Sequence, residues 1–461
     1  MSYARYESYS DSGLQWLGKI PSHWEVVQSR RLFEQRKERA RDGDEQLTAS
    51  QKYGIISQKK FMELENQRVV QVLTGSELLK HIEPNDFVIS MRSFQGGLEW
   101  SRQSGCVSSA YIGLIPIKHV VPEFYNYLFK CGPYIQALQS TSNLVRDGQA
   151  LRFENFSQVW LPIIPDDEQQ KIANFLDHET AKIDTLIDKQ QQLIRLLKEK
   201  RQAVISHAVT KGLNPNAPMR DSGIEWLGEV PEHWRSIPLR LIVRTRKGVA
   251  FKSADFCDGG IRVVKASDIK QKTIRETDVF LPEGFVRDYP KALLSTRDII
   301  LSTVGSNPDV INSAVGQIGM VPKNLNGSLL NQNTVVFDPD ENRVSREYLF
   351  YVLQMEGYRK HLDIHAHGTA NQSSLSIEDM LNFTISFPTL KEQYEVCQYI
   401  RQRQKVLDDL ETKASISESL LKERRTALIS AAVTGKIDVR HPVCHPTGDL
   451  QSSKSTVHGD L

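Results

Sequence analysis

The chain has 461 residues, too many for one ordinary hydrophobic core, so its length suggests two to four units, and two domains with connecting segments would fit. Its 58 Lys and Arg residues nearly balance 56 Asp and Glu residues, so net charge singles out no class of partner, and any basic surface needs local segregation of charge. Five scattered cysteines without a Cys-x-x-Cys pair argue against a zinc site or disulfide framework, and without a signal peptide or a long apolar run we expect a cytoplasmic protein with no membrane contact.

A tryptophan-containing box near the start of the chain recurs in its second half. Residues 11–24 read DSGLQWLGKIPSHW, and residues 221–234 read DSGIEWLGEVPEHW, with nine of 14 positions identical. Self-similarity of this kind indicates an internal duplication. The sequence therefore predicts two related halves.

The segment that follows the first box has the pattern of a mixed α/β domain. Short β-rich runs such as 87–90 (FVIS) and 111–115 (YIGLI) lie between turn-forming residues, and a helical patch covers 122–129. We therefore expect a first domain with a β-sheet over residues 11–165.

A long helix is predicted next, over residues 166–212. The stretch from Glu168 to Val209 contains no Pro or Gly, and its apolar residues recur at spacings of seven, four and three, which is the pattern of a coiled-coil seam. Polar Gln190 and Arg201 also fall on seam positions. The expected seam residues are Leu176, Ile183, Ile187, Ile194, Leu197 and Val204.

The second half repeats this order. A second mixed α/β domain is expected over 221–389 and a second long helix over 390–438, where 421–434 (LKERRTALISAAVT) matches 197–210 (LKEKRQAVISHAVT). The seam residues expected on this helix are Leu407, Leu410, Leu421 and Leu428. The tail over 440–461, rich in Pro, Gly, Ser and His, is expected to be disordered.

The two long helices are expected to pair. A helix of this length with a one-sided apolar stripe is not stable alone, so we predict an antiparallel coiled coil that separates the two α/β domains, with a pseudo-two-fold internal repeat. The first box has no helix before it, and the second helix has no box after it. We therefore expect residues 11–24 to pack beside the end of the second helix.

Motifs for catalysis are missing from the sequence. It contains no phosphate-binding loop, dinucleotide fingerprint, zinc-protease motif or nucleophile elbow, and no methyltransferase signature. His361, His365 and His367 are close together, but no Cys or carboxylate accompanies them at ligand spacing, which favours a polar surface loop over a metal site. We expect no catalytic residue, metal or cofactor.

The WLGxxPxHW boxes at 16–24 and 226–234, together with the helix entries at 165–169 and 388–393, resemble those of type I restriction-modification specificity subunits over residues 10–438. The resemblance implies a non-catalytic subunit with two target recognition domains, each reading one half of a split target in double-stranded DNA. It also implies docking of two methyltransferase subunits, which bind S-adenosylmethionine, and of restriction endonuclease and translocase subunits.

Contacts to phosphates and base edges are expected from polar loops of the two domains. In the first domain the candidates are Lys52, Tyr53, Arg92, Ser93, Gln95, Asn143, Arg146 and Gln149. In the second domain they are Lys265, Ser267, Thr303, Thr369, Asn371 and Gln372. Two other functions stay open: a coiled-coil adaptor without a DNA role, and a nuclease with an unrecognised motif.

Overall fold

The computed structural model describes residues 3–66, 78–141, 151–305, 315–369 and 372–440. It divides into two compact units, the first drawn from the chain up to Gln190 and from Ile416 onwards, the second comprising Gln191–Ser415. Within the described ranges, no helix is long and apolar enough to cross a membrane.

The first half of the chain combines short strands with short helices and one long helix. Its strands are β1 (Tyr9–Asp11), β2 (Lys19–Pro21), β3 (Glu25–Gln28), β4 (Phe33–Gln35), β5 (Leu47–Ser50), β6 (Gly54–Ser57), β7 (Lys80–Ile82), β8 (Phe87–Ile89), β9 (Glu99–Trp100), β10 (Gly105–Val107), β11 (Ile112–Pro116) and β12 (Trp160–Ile163). Its helices are α1 (Gln58–Glu65), α2 (Ser93–Gly96), α3 (Pro122–Lys130), α4 (Gly132–Ser140), α5 (Phe153–Gln158) and α6 (Asp166–Lys211).

The second half has the same composition of elements. Its strands are β13 (Met219–Asp221), β14 (Glu229–Pro231), β15 (Arg235–Pro238), β16 (Val243–Lys247), β17 (Ile261–Val264), β18 (Ile269–Lys270), β19 (Thr273–Ile274), β20 (Phe280–Leu281), β21 (Ile299–Ser302), β22 (Val304–Gly305), β23 (Ile318–Met320), β24 (Leu329–Leu330), β25 (Thr334–Pro339), β26 (His367–Thr369), β27 (Gln372–Ser374) and β28 (Thr384–Phe387). Its helices are α7 (Phe285–Asp288), α8 (Arg346–Val352), α9 (Glu356–His365), α10 (Ile377–Leu381) and α11 (Leu390–Val433). Both halves are therefore mixed α/β, as expected.

The main sheet of the first unit has the antiparallel order β4-β11-β8-β9. Because side chains alternate along a strand, Phe87 and Ile89 enter the large core cluster, whereas Val88 enters a smaller cluster on the other face. Phe33 of β4 packs against Phe87 and against Phe129 of α3, with ring centroids 5.7 and 5.4 Å apart. The sheet is thus covered on both faces.

The main sheet of the second unit has the order β16-β25-β21-β23-β19-β18. Its first three strands are antiparallel and follow one another as β4, β11 and β8 do in the first unit. Ile299 and Leu301 enter one core cluster and Ile300 enters another. The same alternation therefore organises both units, and the extra strands of the second sheet are added beyond β21.

The ends of the long helices have clear chemical causes. Before α11, the Thr389 and Glu392 side chains satisfy each other's backbone N–H groups, with N–O distances of 3.0 Å to the Glu392 carboxylate and 3.3 Å to the Thr389 hydroxyl. The two helices are followed by Gly212 and Gly435 at φ +73° and +72°, a conformation that glycine adopts without strain.

The helices contact each other within each unit. In the first unit, Ile183 and Ile187 of α6 share a core cluster with Leu428 of α11. In the second unit, Ile205 of α6 shares a cluster with Ile400 of α11. Thus the first part of α6 meets the last part of α11, and the last part of α6 meets the first part of α11.

Most of the predicted seam residues are buried. Leu176, Ile183, Ile187, Leu197, Leu407 and Leu428 are buried, whereas Ile194, Val204 and Leu421 are half-buried. The prediction that Leu410 lies in the seam is wrong, because its side chain is 45% exposed. The seam continues from Leu407 to Glu411 and then to buried Ala414, so an acidic residue takes the position that the sequence assigns to Leu410.

Glu411 is part of an ion pair between the helices. In the second unit, Arg201 contacts Asp408, and its Nη2 lies 2.8 Å from Glu411 Oε2. In the first unit, Arg425 Nε lies 2.7 Å from Asp184 Oδ1. Asp184 and Asp408 are 224 positions apart, as are Arg201 and Arg425, so the same Asp–Arg pair occurs once in each unit.

The first box packs against the end of α11, which confirms the expectation from the repeat. Pro21 and Trp24 pack around Gly435, and Ala4 forms a backbone bridge with Asp438. In the second unit, a Cβ at Gly212 would lie 3.1 Å from Trp234 Cζ2. Each box therefore needs a glycine at the helix end that it covers.

Candidate nucleic-acid interface

The first candidate pair lies in the turn of the β5–β6 hairpin. Lys52 Nζ lies 2.9 Å from Glu65 Oε1, and the Tyr53 hydroxyl donates to the same oxygen at 2.7 Å. Tyr53 and Glu65 together raise the pKa of Lys52. The Lys52 ammonium is therefore neutralised by a carboxylate of its own domain.

The second candidate group lies around α2. Arg92 and Gln95 are exposed, and Arg92 lines a cleft of 270 Å³ together with Lys52 and Glu99. The prediction that Ser93 contacts DNA is wrong, because this residue is 1% exposed and its hydroxyl accepts a hydrogen bond from the Ser90 N–H at 2.8 Å. Its hydroxyl holds the turn after β8 and does not face solvent.

In the second domain, two candidates lie directly after β17. Lys265 is half-buried and Ser267 is exposed, and the Asp268 carboxylate accepts from the Lys265 backbone N–H at 2.8 Å and from the Ser267 hydroxyl at 3.2 Å. Thr303, between β21 and β22, is half-buried. Thr303 follows a strand of the main sheet, whereas Lys265 follows a strand of a separate three-stranded sheet, so they are separate candidates.

The remaining candidates lie in or beside segments outside the described residues. Asn143, Arg146, Gln149 and Asn371 lie outside the described residues, as does 441–461 of the expected tail. Thr369 and Gln372 pair with each other through the backbone of the β26–β27 hairpin. This hairpin also pairs with β22.

The three histidines do not lie in a surface loop as expected: His361 and His365 belong to α9 and His367 to β26, and the first two have partners within the protein. His361 Nε2 lies 2.8 Å from the Asp379 carbonyl oxygen, and His365 Nδ1 lies 2.8 Å from the His361 carbonyl oxygen. Burial lowers the pKa of His361. Across the described ranges, no group of three or more His, Cys, Asp or Glu residues is arranged to hold a metal ion.

Each helix entry holds a carboxylate, buried in the first unit and half-buried in the second, that the sequence analysis did not single out. In the first unit, Glu168 is 3% exposed and accepts from the Tyr6 hydroxyl at 2.8 Å and the Trp24 indole N–H at 3.1 Å, while His23 Nε2 lies 2.7 Å from its other oxygen. In the second unit, His233 Nε2 and Trp234 Nε1 lie 2.6 and 3.1 Å from Glu392 Oε1. The sequence did contain a signal for this contact, because the His-Trp pair of each box and the Glu of each helix entry both recur.

The glutamine that follows each of these carboxylates is buried in both units and connects several elements. The Gln169 side chain accepts from the Val121 N–H and donates to the His119 carbonyl, both at 2.9 Å. Gln393 makes the matching contacts with Ser345 and Arg343, at 2.8 and 3.0 Å. The Glu-Gln pair therefore ties each box and each α/β domain to the start of a long helix.

A second cleft of the first domain was also missed. It has a volume of 440 Å³ and is lined by the β6 strand, the turn after β9 and one side of α3. Its cationic residues are Lys60, Arg102 and Lys130, and its lining contains no carboxylate residue among those that the structure describes. The Arg102 guanidinium lies 4.6 Å from the ring centroid of Trp100. No sequence motif marks these residues, because they converge only when the hairpin meets β9.

Comparison with protein families gives two matches along the chain. The family described as "Type I restriction modification DNA specificity domain" matches residues 21–195 and 231–418. These segments contain both clefts of the first domain, both α/β domains and most of the two long helices.

Known proteins of similar sequence and fold cover most of the chain. The MjaVIII specificity subunit of Methanocaldococcus jannaschii is 26% identical over 436 residues, covering 92% of this chain and 95% of that protein. The EcoKI specificity subunit of Escherichia coli K12 is 20% identical over 387 residues, covering 81% and 79%. A chain from a solved type I restriction-modification assembly has a TM-score of 0.66 at 14% identity, covering 90% of this chain and 98% of that one. The HsdS subunit from Thermoanaerobacter tengcongensis has a TM-score of 0.51 at the same identity and coverage.

Proposed function

The chain belongs to the type I restriction-modification DNA specificity family, and on that premise we propose that each α/β domain reads one half of a bipartite target in double-stranded DNA. The proposal rests on the two segments that match this family, one in each half of the chain. The proposed reading domains are 11–165 and 221–389. Their main sheets share a strand order, whereas the elements outside these strands differ, as expected for two readers of different half-sites.

The long helices are proposed to form an antiparallel coiled-coil spacer with a pseudo-two-fold repeat, over 166–212 and 390–438. The contacts of α6 and α11 in each unit and the repeated Asp–Arg pair support this arrangement. Two-fold repetition would present two similar surfaces, which suits two copies of one partner.

Those partners are proposed to be two methyltransferase subunits, which bind S-adenosylmethionine, and in the full complex restriction endonuclease and translocase subunits. Both helices carry apolar side chains that the described residues leave about half exposed. Leu186, Leu193 and Leu196 of α6 are 42–50% exposed, and Leu410 and Leu420 of α11 are 45% and 58% exposed. Clusters of exposed apolar residues on helices are typical of protein docking surfaces. The chain itself is proposed to contribute no catalysis.

Exchange of one reading domain tests the proposal. Replacing 30–140 with the matching segment of a relative should change one half of the methylated target, because each half-site is read by one domain. The matched control replaces 240–365 and should change only the other half. Methylation mapping of cells that carry each hybrid gives the result, and a change in both halves, or in neither, would contradict one reader per domain.

Salt dependence separates a DNA reader from a protein adaptor. Contacts to phosphates release counterions, so retention of DNA by the purified complex should weaken as salt rises. An adaptor without a DNA role would show no such retention.

A further inference from the structure

The second cleft of the first domain contains two cations that no carboxylate among the described residues neutralises. Of the three cations that line this cleft, Lys130 is paired, with its Nζ 2.7 Å from Glu99; elsewhere in the same domain Arg41 contacts Glu38 and Glu83 at 2.6 and 2.8 Å. Lys60 and Arg102 are exposed, and neither has a carboxylate partner within the described part of the chain. Their charge is therefore available to an external anion.

The guanidinium of Arg102 is held in a defined position. It lies over the ring of Trp100, 4.6 Å from the centroid, and stacking on an aromatic ring leaves the N–H groups at the edge of the guanidinium plane free to donate. An arginine restrained in this way loses less conformational entropy when it binds an oxyanion than a free surface arginine loses.

The walls of the cleft are also fixed by local contacts. Gly54 has a φ of +71°, and a Cβ there would lie 3.5 Å from the Trp100 carbonyl oxygen, so the hairpin approaches β9 closely. The Gln103 side chain donates to the Ile55 carbonyl oxygen at 3.3 Å, which joins the turn after β9 to β6. Asn126 of α3 adds an amide to the opposite wall. The cleft is thus formed before any ligand arrives.

We propose that Arg102 and Lys60 hold a backbone phosphate of the DNA duplex in this cleft. The inference deepens the proposed function and rests on it: a lining with free cations and amides suits a phosphodiester, and the cleft lies inside the first segment that matches the DNA specificity family. Phosphate contacts position a protein on the duplex but carry no base information. Arg102 and Lys60 are therefore positioning residues, not readers of the target sequence.

Binding of the full chain, assembled with its methyltransferase subunits, to a duplex containing the target measures this role. Arg102→Ala and Lys60→Ala should each weaken binding several-fold at low salt. Each should also make the salt dependence weaker: the slope of log affinity against log salt should become less steep by about one, because one phosphate contact is lost. The methylated bases should stay the same. Arg41→Ala is the matched control: Arg41 is exposed in the same domain but paired with Glu38 and Glu83, so its removal should leave the slope unchanged.

A second variant separates the effect of charge from that of guanidinium geometry. Arg102→Lys keeps the charge but not the planar fork, so it should keep most of the salt slope while binding more weakly. An unchanged slope in Arg102→Ala and Lys60→Ala would overturn the proposal, and so would altered methylated bases, which would indicate base reading. Intact DNA binding with loss of the methyltransferase subunits would instead indicate a protein-docking site. If the unsubstituted complex shows no salt-dependent binding at all, the proposed function itself fails.

Discussion

At the residue scale, the repeated helix-entry glutamate occupies two different environments. Glu168 follows Pro165, which has no N–H to donate, and the Tyr6 hydroxyl supplies an additional hydrogen bond. Glu392 follows Thr389, whose backbone N–H and hydroxyl both donate to it, at 3.0 and 2.8 Å. The same role is therefore filled by a distant tyrosine in one unit and by a local cap in the other.

The environment of Glu392 predicts a pH dependence of stability. Burial raises its pKa, but hydrogen bonds from His233, Thr389 and Trp234 outweigh burial and lower the pKa to about 2. A carboxyl group whose pKa is lower in the folded state stabilises the fold above its unfolded pKa of about 4.3, and this contribution is lost as the pH falls towards 2.

We therefore expect Glu392→Gln to reduce the free energy of unfolding at pH 6 by about 1–3 kcal/mol, with a smaller difference from the unsubstituted chain near pH 2. Urea unfolding of the full chain across this pH range gives the measurement. Glu395→Gln is the control, because its side chain is 51% exposed on the next turn of the same helix. A constant difference between the Glu392→Gln and unsubstituted chains at all pH values would mean that the hydrogen bonds do not depress the pKa.

At the scale of the elements, the helix pair combines an apolar seam with polar positions. Leu407, Ala414 and Leu428 are buried at multiples of seven residues, whereas Glu411 and Arg425 occupy intervening positions. A polar pair at a seam position contributes less to stability than an apolar pair, but it disfavours other registers. The two Asp–Arg pairs are therefore expected to specify the register.

Charge reversal tests that role. Asp184→Arg places two arginines opposite each other, and the further change Arg425→Asp restores an ion pair with its direction reversed. We expect the second change to recover about 0.5–1 kcal/mol of the stability lost in the first, as a coupling energy.

Asp188→Arg makes the same change of charge at an exposed site one turn away, which has no ion-pair partner among the described residues, so Arg425→Asp should not rescue it. Chemical denaturation of the single and double variants gives the coupling. Equal coupling at both sites would mean that the pair does not set the register.

Much of the fold follows from features that can be read in the sequence. Short β-rich runs, helix periodicity and the duplicated boxes were sufficient to predict mixed α/β halves, long helices and the packing of residues 11–24, because these follow from local pattern and repetition. Leu410 was misassigned because a pattern search prefers leucine to glutamate, although Arg201 on the partner helix makes Glu411 the contact residue. The burial of Ser93 and the stacking of Arg102 could not be predicted from the sequence, because both depend on how distant strands and turns meet.

At the scale of the whole molecule, the proposed spacer should act as a ruler for the DNA target. Inserting one seven-residue repeat after Gln190 and another after Ala414 keeps the seam in register and lengthens each helix by about 10 Å. On B-DNA this corresponds to about three base pairs, which also rotate the second half-site by about 100°. We therefore expect a longer gap between unchanged half-sites, with weaker binding because the protein must twist or the DNA must bend. Four-residue insertions at the same points break the heptad and should impair folding instead. Methylation mapping distinguishes these outcomes, and an unchanged gap with full activity would show that the helices are not the ruler.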